Sequence, residues 1–91
     1  MSMEILMNTE KIKVYGARWC GDCFRVKKVL DNNQIEYQWI DIDKDNSARE
    51  YVGRINGGNF VVPTIVFQDG TILAEPSTQQ LKQKLGLLTE F

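Results

Sequence analysis

The sequence predicts a single α/β domain in which a mixed four-stranded sheet carries helices on both faces. Short segments rich in β-branched and aromatic residues alternate with amphipathic helical segments in the first half of the chain, a pattern typical of a parallel βαβ unit. The second half contains a strand–turn–strand pattern followed by a helix. The predicted order is therefore β-α-β-α-β-β-α, and 91 residues are enough for one domain only.

The first half of the chain is predicted to form a strand, a helix and a second strand. Residues 11–15 (KIKVY) alternate polar and apolar side chains, which predicts the first strand, and residues 16–19 follow as a loop. Apolar side chains recur at helical spacing over residues 21–32, which predicts a helix with one core-facing side. Residues 34–42 (QIEYQWIDI) are rich in β-branched and aromatic residues and are predicted as the second strand.

The second predicted helix begins at a capping-box pattern, in which Ser47 is followed three residues later by Glu50. Apolar residues continue behind it at helical spacing. The segment Asn56-Gly57-Gly58-Asn59 is predicted to end this helix.

A β-hairpin and a last helix complete the prediction. Residues 64–67 (TIVF) and 71–74 (TILA) are the two strands, joined by a two-residue turn at Asp69-Gly70. A second capping box, which starts at Ser77, begins the last helix. The apolar face of this helix consists of three leucines, Leu81, Leu85 and Leu88.

Composition and charge exclude several classes of function. The chain is 43% apolar and 25% charged with a formal net charge of -1, so it lacks the basic surplus of a nucleic-acid-binding domain. No stretch reaches the ~18 apolar residues of a membrane span, and residues 1–10 lack the basic and apolar regions of a secretion signal. We therefore expect a monomeric cytoplasmic protein without nucleic-acid or membrane partners, with an extension over residues 1–10 and a domain over residues 11–88.

The chain contains two cysteines and no histidine. Without histidine there is no Cys–His nucleophile pair, no Ser–His–Asp triad and no imidazole ligand for a metal. A permanent structural disulfide is not expected in a reducing cytoplasm. Cys20 and Cys23 can therefore carry out redox chemistry, bind a metal ion together or have only a structural role.

Cys20 and Cys23 form a Cys-x-x-Cys motif at the predicted start of a helix. Residues three apart share a face of the first turn, so the two sulfurs can form and break a disulfide with little backbone movement. The partial positive charge and the free N–H groups of a helix N-terminus favour a thiolate, most of all at the first cysteine. We therefore predict that Cys20 is the attacking nucleophile and that Cys23 is the resolving thiol.

Four neighbours of the cysteines are predicted to shape the site. Gly21 keeps the loop small, so that a substrate backbone can approach. The carboxylate of Asp22 opposes the helix-terminus effect on Cys20 and is expected to make the pair more reducing, whereas Arg18 is expected to offset it. Trp19 either shields the nucleophile or only packs beside it.

A second signal is the segment Val62-Pro63-Thr64, directly before the third predicted strand. Proline is tolerated as the first residue of a strand for structural reasons alone. Together with the Cys-x-x-Cys motif, it predicts a cis-proline that exposes a backbone edge beside the thiols. There the N–H and C=O groups of Val62 are predicted to hold a substrate chain as an added strand.

Other functions remain open from these residues alone. Two buried cysteines without chemistry and a zinc site shared between two chains are both compatible with the motif. The main alternative is a Cu(I)-binding module, because ferredoxin-like metallochaperones also place a Cys-x-x-Cys after their first strand, although their order is β-α-β-β-α-β. A purely structural interaction domain is a third class.

Asp41, Asp43 and Asp45 resemble the start of a calcium loop, but its glycine and glutamate are missing, so they are interpreted as solvated charges.

Three motifs carry a family resemblance: WCGDC at residues 19–23, VPT at residues 62–64 and DG at residues 69–70. With them, the chain resembles the glutaredoxin branch of the thioredoxin fold over residues 11–88. Further segments at residues 56–59 and 75–77 are most similar to the mycoredoxins, which are glutaredoxin-like proteins of bacteria that use mycothiol.

The resemblance implies a cis peptide bond at Pro63, reduction of mixed or protein disulfides, and no bound cofactor. The partners it implies are disulfide-containing proteins and, as the electron source, a flavoprotein reductase or a low-molecular-weight thiol of the glutathione or mycothiol type. Glutaredoxins also carry a Gly-Gly pair that holds a glutathione carboxylate, and Glu75 and Pro76 stand at that place in this chain. Glutamate repels a carboxylate and proline lacks an N–H, so the chain departs from the family there.

Overall fold

The computed structural model describes residues 11–87, and seven elements of secondary structure lie within them. They are β1 (Ile12–Gly16), α1 (Gly21–Asn32), β2 (Tyr37–Asp41), α2 (Asn46–Ile55), β3 (Thr64–Val66), β4 (Ile72–Ala74) and α3 (Thr78–Lys84). This order confirms the predicted β-α-β-α-β-β-α arrangement. The extension predicted over residues 1–10, and Leu88 of the predicted last helix, lie outside the described residues.

The four strands form one mixed sheet with the order β2-β1-β3-β4. β1 runs parallel to β2, with Val14 opposite Trp39, and antiparallel to β3, with Val14 opposite Ile65. β4 is antiparallel to β3, with Ile65 opposite Leu73. The predicted mixed sheet is therefore confirmed. Because β1 and β3 are antiparallel, the loop that leaves β1 with the cysteines lies at the edge of the sheet where β3 begins.

Two hydrophobic clusters hold the helices against the sheet. The cluster that includes residues of α1 and α3 consists of Ile12, Val14, Val26, Leu30, Ile65, Phe67 and Leu81. The cluster that includes residues of α2 consists of Tyr15, Cys23, Ile42, Ala48, Val52 and Val62. Successive residues of a strand point to opposite faces, so Val14 and Tyr15 belong to different clusters. Each fully buried valine, leucine or isoleucine contributes about 1.5–3 kcal/mol, which anchors α1, and the cysteines on it, to the sheet.

The start of α2 differs from the prediction. The helix begins at Asn46, and its N-cap is Asp45, whose carboxylate accepts a hydrogen bond from the Ala48 N–H at 3.0 Å. The predicted capping box at Ser47 is therefore wrong. A carboxylate two residues earlier in the chain binds that N–H, and Ser47 consequently lies inside the first helical turn.

The second strand is shorter than predicted because the end of α1 takes up its first residues. Gln34 lies in the left-handed region with φ 53°, and its N–H donates to the Asp31 carbonyl at 3.1 Å. The Ile35 N–H donates to the Leu30 carbonyl at 2.9 Å. These two bonds form a Schellman motif, so residues 34 and 35 close the helix, and the strand begins only at Tyr37.

The hairpin between β3 and β4 has a longer turn than predicted. The Gly70 N–H donates to the Phe67 carbonyl at 2.9 Å, and the Phe67 N–H donates to the Thr71 carbonyl at 2.8 Å. Three residues, 68–70, therefore lie between the paired residues Phe67 and Thr71, with Gly70 at φ 88°, whereas the prediction was a two-residue turn. A tight turn followed by a left-handed glycine is a common three-residue connection.

The predicted capping box at the start of α3 is confirmed. The Gln80 N–H donates to the Ser77 hydroxyl at 3.0 Å, and the Ser77 N–H donates to the Gln80 side-chain oxygen at 2.8 Å. The helix therefore begins at a fixed position, directly after the segment that leaves β4.

Candidate active site

Cys20 is the N-cap residue of α1. Its Sγ accepts a hydrogen bond from the Cys23 N–H at 3.2 Å, so a sulfur occupies the place that a serine or aspartate oxygen takes in an ordinary cap. Both cysteines are free thiols in this structure. A thiolate on Cys20 would receive this N–H and the partial positive charge of the helix N-terminus.

Cys23, unlike Cys20, is buried, with 1% of its surface exposed. Burial, and next the hydrogen bond with Cys20, raise the pKa of the Cys23 thiol to about 12. The sulfur packs against the backbone of Gly16, where an added Cβ would lie only 2.6 Å from it. Cys23 is therefore held as a neutral thiol behind Cys20, which is partly exposed.

The loop before β3 brings Val62 and Pro63 to the nucleophile. The peptide bond between them is cis, as the sequence predicted. The Cys20 thiol lies 3.8 Å from the Val62 carbonyl, to which it donates. The Thr64 hydroxyl donates to the Val61 carbonyl at 2.7 Å, and the Pro63 carbonyl accepts from the Glu75 N–H at 2.7 Å, so both sides of the loop are held.

An open groove of about 570 Å³ lies beside Cys20. It is lined by Trp19, Cys20, Gly21, Asp22, Phe60, Val61, Val62 and Glu75. Trp19 is 72% exposed and Phe60 is 49% exposed, so two large aromatic side chains form walls that solvent can reach. The structure therefore brings together five of the predicted neighbours of the nucleophile, Trp19, Gly21, Asp22, Val62 and, through the same loop, Pro63.

Sequence reasoning missed Phe60 as a groove residue. An aromatic side chain that follows a glycine-rich segment directly before Val-Val-Pro was an available signal. Its ring packs against Gly53 of α2, where an added Cβ would lie 2.7 Å from a ring carbon. Phe60 is thus held at the groove by a residue from another element, and this contact cannot be predicted from local sequence.

The two aromatic walls are connected through charged side chains. The Trp19 indole N–H donates to Asp43 at 2.8 Å. The Arg49 guanidinium lies 4.0 Å from the Asp43 carboxylate and 4.3 Å from the centre of the Phe60 ring. The two sequence interpretations of Trp19 both describe part of this arrangement, because its ring stands at the groove while its N–H is fixed by Asp43.

Arg25, and not Arg18, is the cation beside Asp22. Its guanidinium lies 3.4 Å from the Asp22 carboxylate, and it also donates to the Pro76 carbonyl at 3.1 Å and to the Thr78 hydroxyl at 3.0 Å. Arg18 is exposed and lines a second cavity of about 220 Å³, which Cys20 and Cys23 also line, so its predicted effect on Cys20 stays a prediction. Arg25 lies one helical turn beyond Asp22, a spacing at which side chains meet.

The possible metal ligands in the described part of the chain do not form a larger cluster. Across residues 11–87 no group of three or more histidine, cysteine, aspartate or glutamate side chains is placed to hold a metal ion. Asp43 binds Trp19 and Asp45 caps α2, so these carboxylates have structural partners. The metallochaperones behind the Cu(I) alternative have the order β-α-β-β-α-β, which is not the order observed here. Among the same residues, no helix is long and apolar enough to cross a membrane.

Comparisons with known proteins agree with this geometry. The family model described as glutaredoxin matches residues 12–72. A protein of Mycobacterium tuberculosis (strain H37Rv) with the name "Putative glutaredoxin Rv3198A" is 44% identical over 79 residues, which cover 87% of this chain and 94% of that protein. Mycoredoxin 1 of Corynebacterium glutamicum is 36% identical over 77 residues, which cover 85% of this chain and 95% of that protein. The crystal structure of a mutant of the thioredoxin-like protein BC3987 matches with a TM-score of 0.76 and 31% identity, covering 88% of this chain and 100% of that one.

Proposed function

Because this chain belongs to the glutaredoxin family, and is therefore a thiol–disulfide oxidoreductase, we propose that it reduces disulfides through Cys20 and Cys23 by a dithiol mechanism. The observation that carries the proposal is the difference between the two thiols. Cys20 is partly exposed and caps a helix, while Cys23 is buried with its pKa raised to about 12. One sulfur is thus suited to attack a substrate, and the other is protected until an intermediate forms.

The reaction consists of two exchanges. The Cys20 thiolate attacks one sulfur of the substrate disulfide, a mixed disulfide forms, and the other substrate sulfur leaves as a thiolate that takes up a proton. Cys23 then gives up its proton and attacks the Cys20 sulfur, which releases the second substrate thiol. The substrate gains two electrons and two protons, and the protein is left with a Cys20–Cys23 disulfide. Because Cys23 holds its proton tightly, the departing substrate sulfur is the natural acceptor for it.

Val62 is proposed to dock the substrate backbone. Its carbonyl accepts from the Cys20 thiol in the reduced protein, at a distance of 3.8 Å. Once Cys20 loses its proton this donor is gone, and the carbonyl can accept an N–H from the substrate chain. Substrate and protein would then pair as neighbouring strands over the edge that Pro63 exposes. Trp19, Gly21 and Asp22 line the same groove.

The oxidised protein is returned to its dithiol state by an external electron source. We propose a low-molecular-weight thiol of the glutathione or mycothiol type, or a flavoprotein reductase, with disulfide-containing proteins as substrates. Similarity to glutaredoxins and to a mycoredoxin supports a thiol-type partner. We propose that the reaction takes place in the cytoplasm, where thiol pools provide reducing conditions.

A redox titration tests the mechanism. The protein is equilibrated in defined dithiol buffers, its free thiols are alkylated, and the mass shift is measured. We expect one two-electron transition at a potential between roughly -200 and -300 mV. In parallel, Cys23→Ser should accumulate a mixed disulfide with a substrate, and Cys20→Ser should form none. Failure of the wild-type protein to form an intramolecular disulfide in any buffer would contradict the dithiol mechanism.

A further inference from the structure

The charged side chains that line the groove beside Cys20 are both acidic. Asp22 follows the nucleophile on α1, and Glu75 lies on the segment that leaves β4. The other lining residues within 11–87 are uncharged, apart from the cysteine itself. A substrate that reaches Cys20 through this groove therefore lies beside two carboxylates, those of Asp22 and Glu75.

Two cations near the groove, Arg25 and Arg49, are already engaged, and Arg18 lines the neighbouring cavity instead of this groove. Arg25 is bound to Asp22, Pro76 and Thr78, so it offsets part of the Asp22 charge. Arg49 is paired with Asp43 and stacked on the ring of Phe60. Glu75 has no ion pair among residues 11–87, which leaves its carboxylate as the uncompensated charge of the groove.

The backbone holds Glu75 in place. Its φ of 48° lies in the left-handed region, which a residue with a side chain seldom adopts. Its N–H donates to the Pro63 carbonyl at 2.7 Å, and the next residue, Pro76, is buried and bound through its carbonyl to Arg25 at 3.1 Å. The carboxylate is thus attached to a fixed piece of chain and not to a free loop.

We propose that Glu75 makes the protein selective for disulfides that carry a lysine or arginine beside the reacting cysteine. The inference rests on the proposed function, since it concerns which substrates reach Cys20. A cationic side chain in the groove would meet Glu75 with its charge and the rings of Trp19 and Phe60 with its aliphatic stem. Peptide disulfides that carry carboxylates beside the reacting cysteine would be repelled by the same residue. The chemistry of the exchange is the same for every substrate, and only its rate differs.

Three matched peptides test the selectivity. Each contains one cysteine, disulfide-bonded to 2-mercaptoethanol, and differs only in having lysine, glutamine or glutamate on both sides of that cysteine. The reduced protein is mixed with each peptide in a single turnover, quenched with acid and analysed by mass. An exposed ion pair contributes about 0.2–1 kcal/mol, which is about 1.4-fold to fivefold in rate, so we expect the lysine peptide to react up to about fivefold faster than the glutamate peptide. The difference should largely disappear at 1 M salt, where the Debye length is about 3 Å.

Variants identify the residue responsible. The ratio of the lysine-peptide rate to the glutamate-peptide rate should fall towards one in Glu75→Gln and should be inverted in Glu75→Lys. Because the readout is a ratio within one protein, a general change in the reactivity of a variant does not affect it. Glu50→Gln removes another exposed carboxylate, from α2 and away from the groove, and should keep the wild-type ratio.

The outcomes separate this inference from the proposed function. If the wild-type protein fails to react with the neutral reagent 2-hydroxyethyl disulfide, the proposed function is overturned. If it reacts with that reagent but reduces all three peptides at equal rates, only the selectivity is overturned. A preference for lysine that persists in Glu75→Lys would show that another part of the molecule sets it, and would overturn the role of Glu75.

Discussion

Gly16→Ala is predicted to destabilise the protein because two side chains approach the Gly16 backbone closely. An added Cβ would lie 2.6 Å from the Cys23 sulfur and 2.5 Å from Cη2 of Trp39. Both distances are shorter than carbon can tolerate, and Cys23 is fully buried, so the neighbours cannot simply move into solvent. Overpacking of this kind costs about 1–3 kcal/mol. For a domain of this size, that cost corresponds to a decrease in melting temperature of roughly 5–20 °C.

The assay is thermal unfolding of the reduced protein, with Gly21→Ala as the matched control. A Cβ at Gly21 meets nothing within 4 Å, so the same substitution there should leave the melting temperature nearly unchanged. In a Cys23→Ala background the contact with sulfur is absent, so the cost of Gly16→Ala should shrink by at least about 0.5 kcal/mol. Since the methyl group also pushes on the Cys23 sulfur, the reduction potential of the cysteine pair should shift in Gly16→Ala. Equal melting temperatures for the two glycine variants, with an unchanged potential, would refute this reasoning.

Two further predictions follow from the site. The stability of the reduced protein should fall as the pH rises from about 9 to about 12, because the unfolded chain loses the Cys23 proton near the ordinary pKa of 9.0 while the folded chain keeps it up to about 12. Urea unfolding at a series of pH values should show a shallower decline in Cys23→Ala. Tyr15 and Tyr37, whose pKa values are raised by burial, contribute a slope of the same sign in both proteins, so an identical decline would contradict the prediction. Asp43→Ala removes the acceptor that lies 2.8 Å from the Trp19 indole nitrogen, so hydrogen exchange of the indole N–H, measured by NMR, should become faster. Because this hydrogen bond is exposed, the free energy of unfolding should change by less than about 1.5 kcal/mol. Unchanged exchange would show that Asp43 does not hold Trp19.

The elements predicted with the correct bounds are those governed by local chemistry. The bounds of α1 agree with the prediction because its apolar spacing and its starting cysteine are both visible in the sequence. The capping box at Ser77 also needs only residues three apart, and it is present as predicted. In each case the pattern lies within the helix and its cap, so no knowledge of the rest of the chain is needed.

The incorrect predictions concern segments for which the local sequence allows more than one arrangement. Asp45 and Ser47 are both acceptable caps, and the chain uses the carboxylate. Gln34 is the first residue of the predicted second strand, but its left-handed conformation completes the end of α1. Arg25, one helical turn beyond Asp22, pairs with its carboxylate, and the sequence analysis did not identify this pair. Local patterns identify such candidates, and packing selects among them.

The sequence by itself determined the chemistry of this protein. The chain has two cysteines at Cys-x-x-Cys spacing, at the predicted start of a helix, and it has no histidine. Thiol–disulfide exchange is the function that fits these residues best. The tertiary structure decided what surrounds the reacting sulfur. The pairing of β1 with β3 brings Val62 to Cys20, the segment after β4 adds Glu75, and packing on α2 adds Phe60. Burial of Cys23 likewise results from its position between Gly16 and the core, because desolvation depends on residues that are distant in sequence and close only after folding.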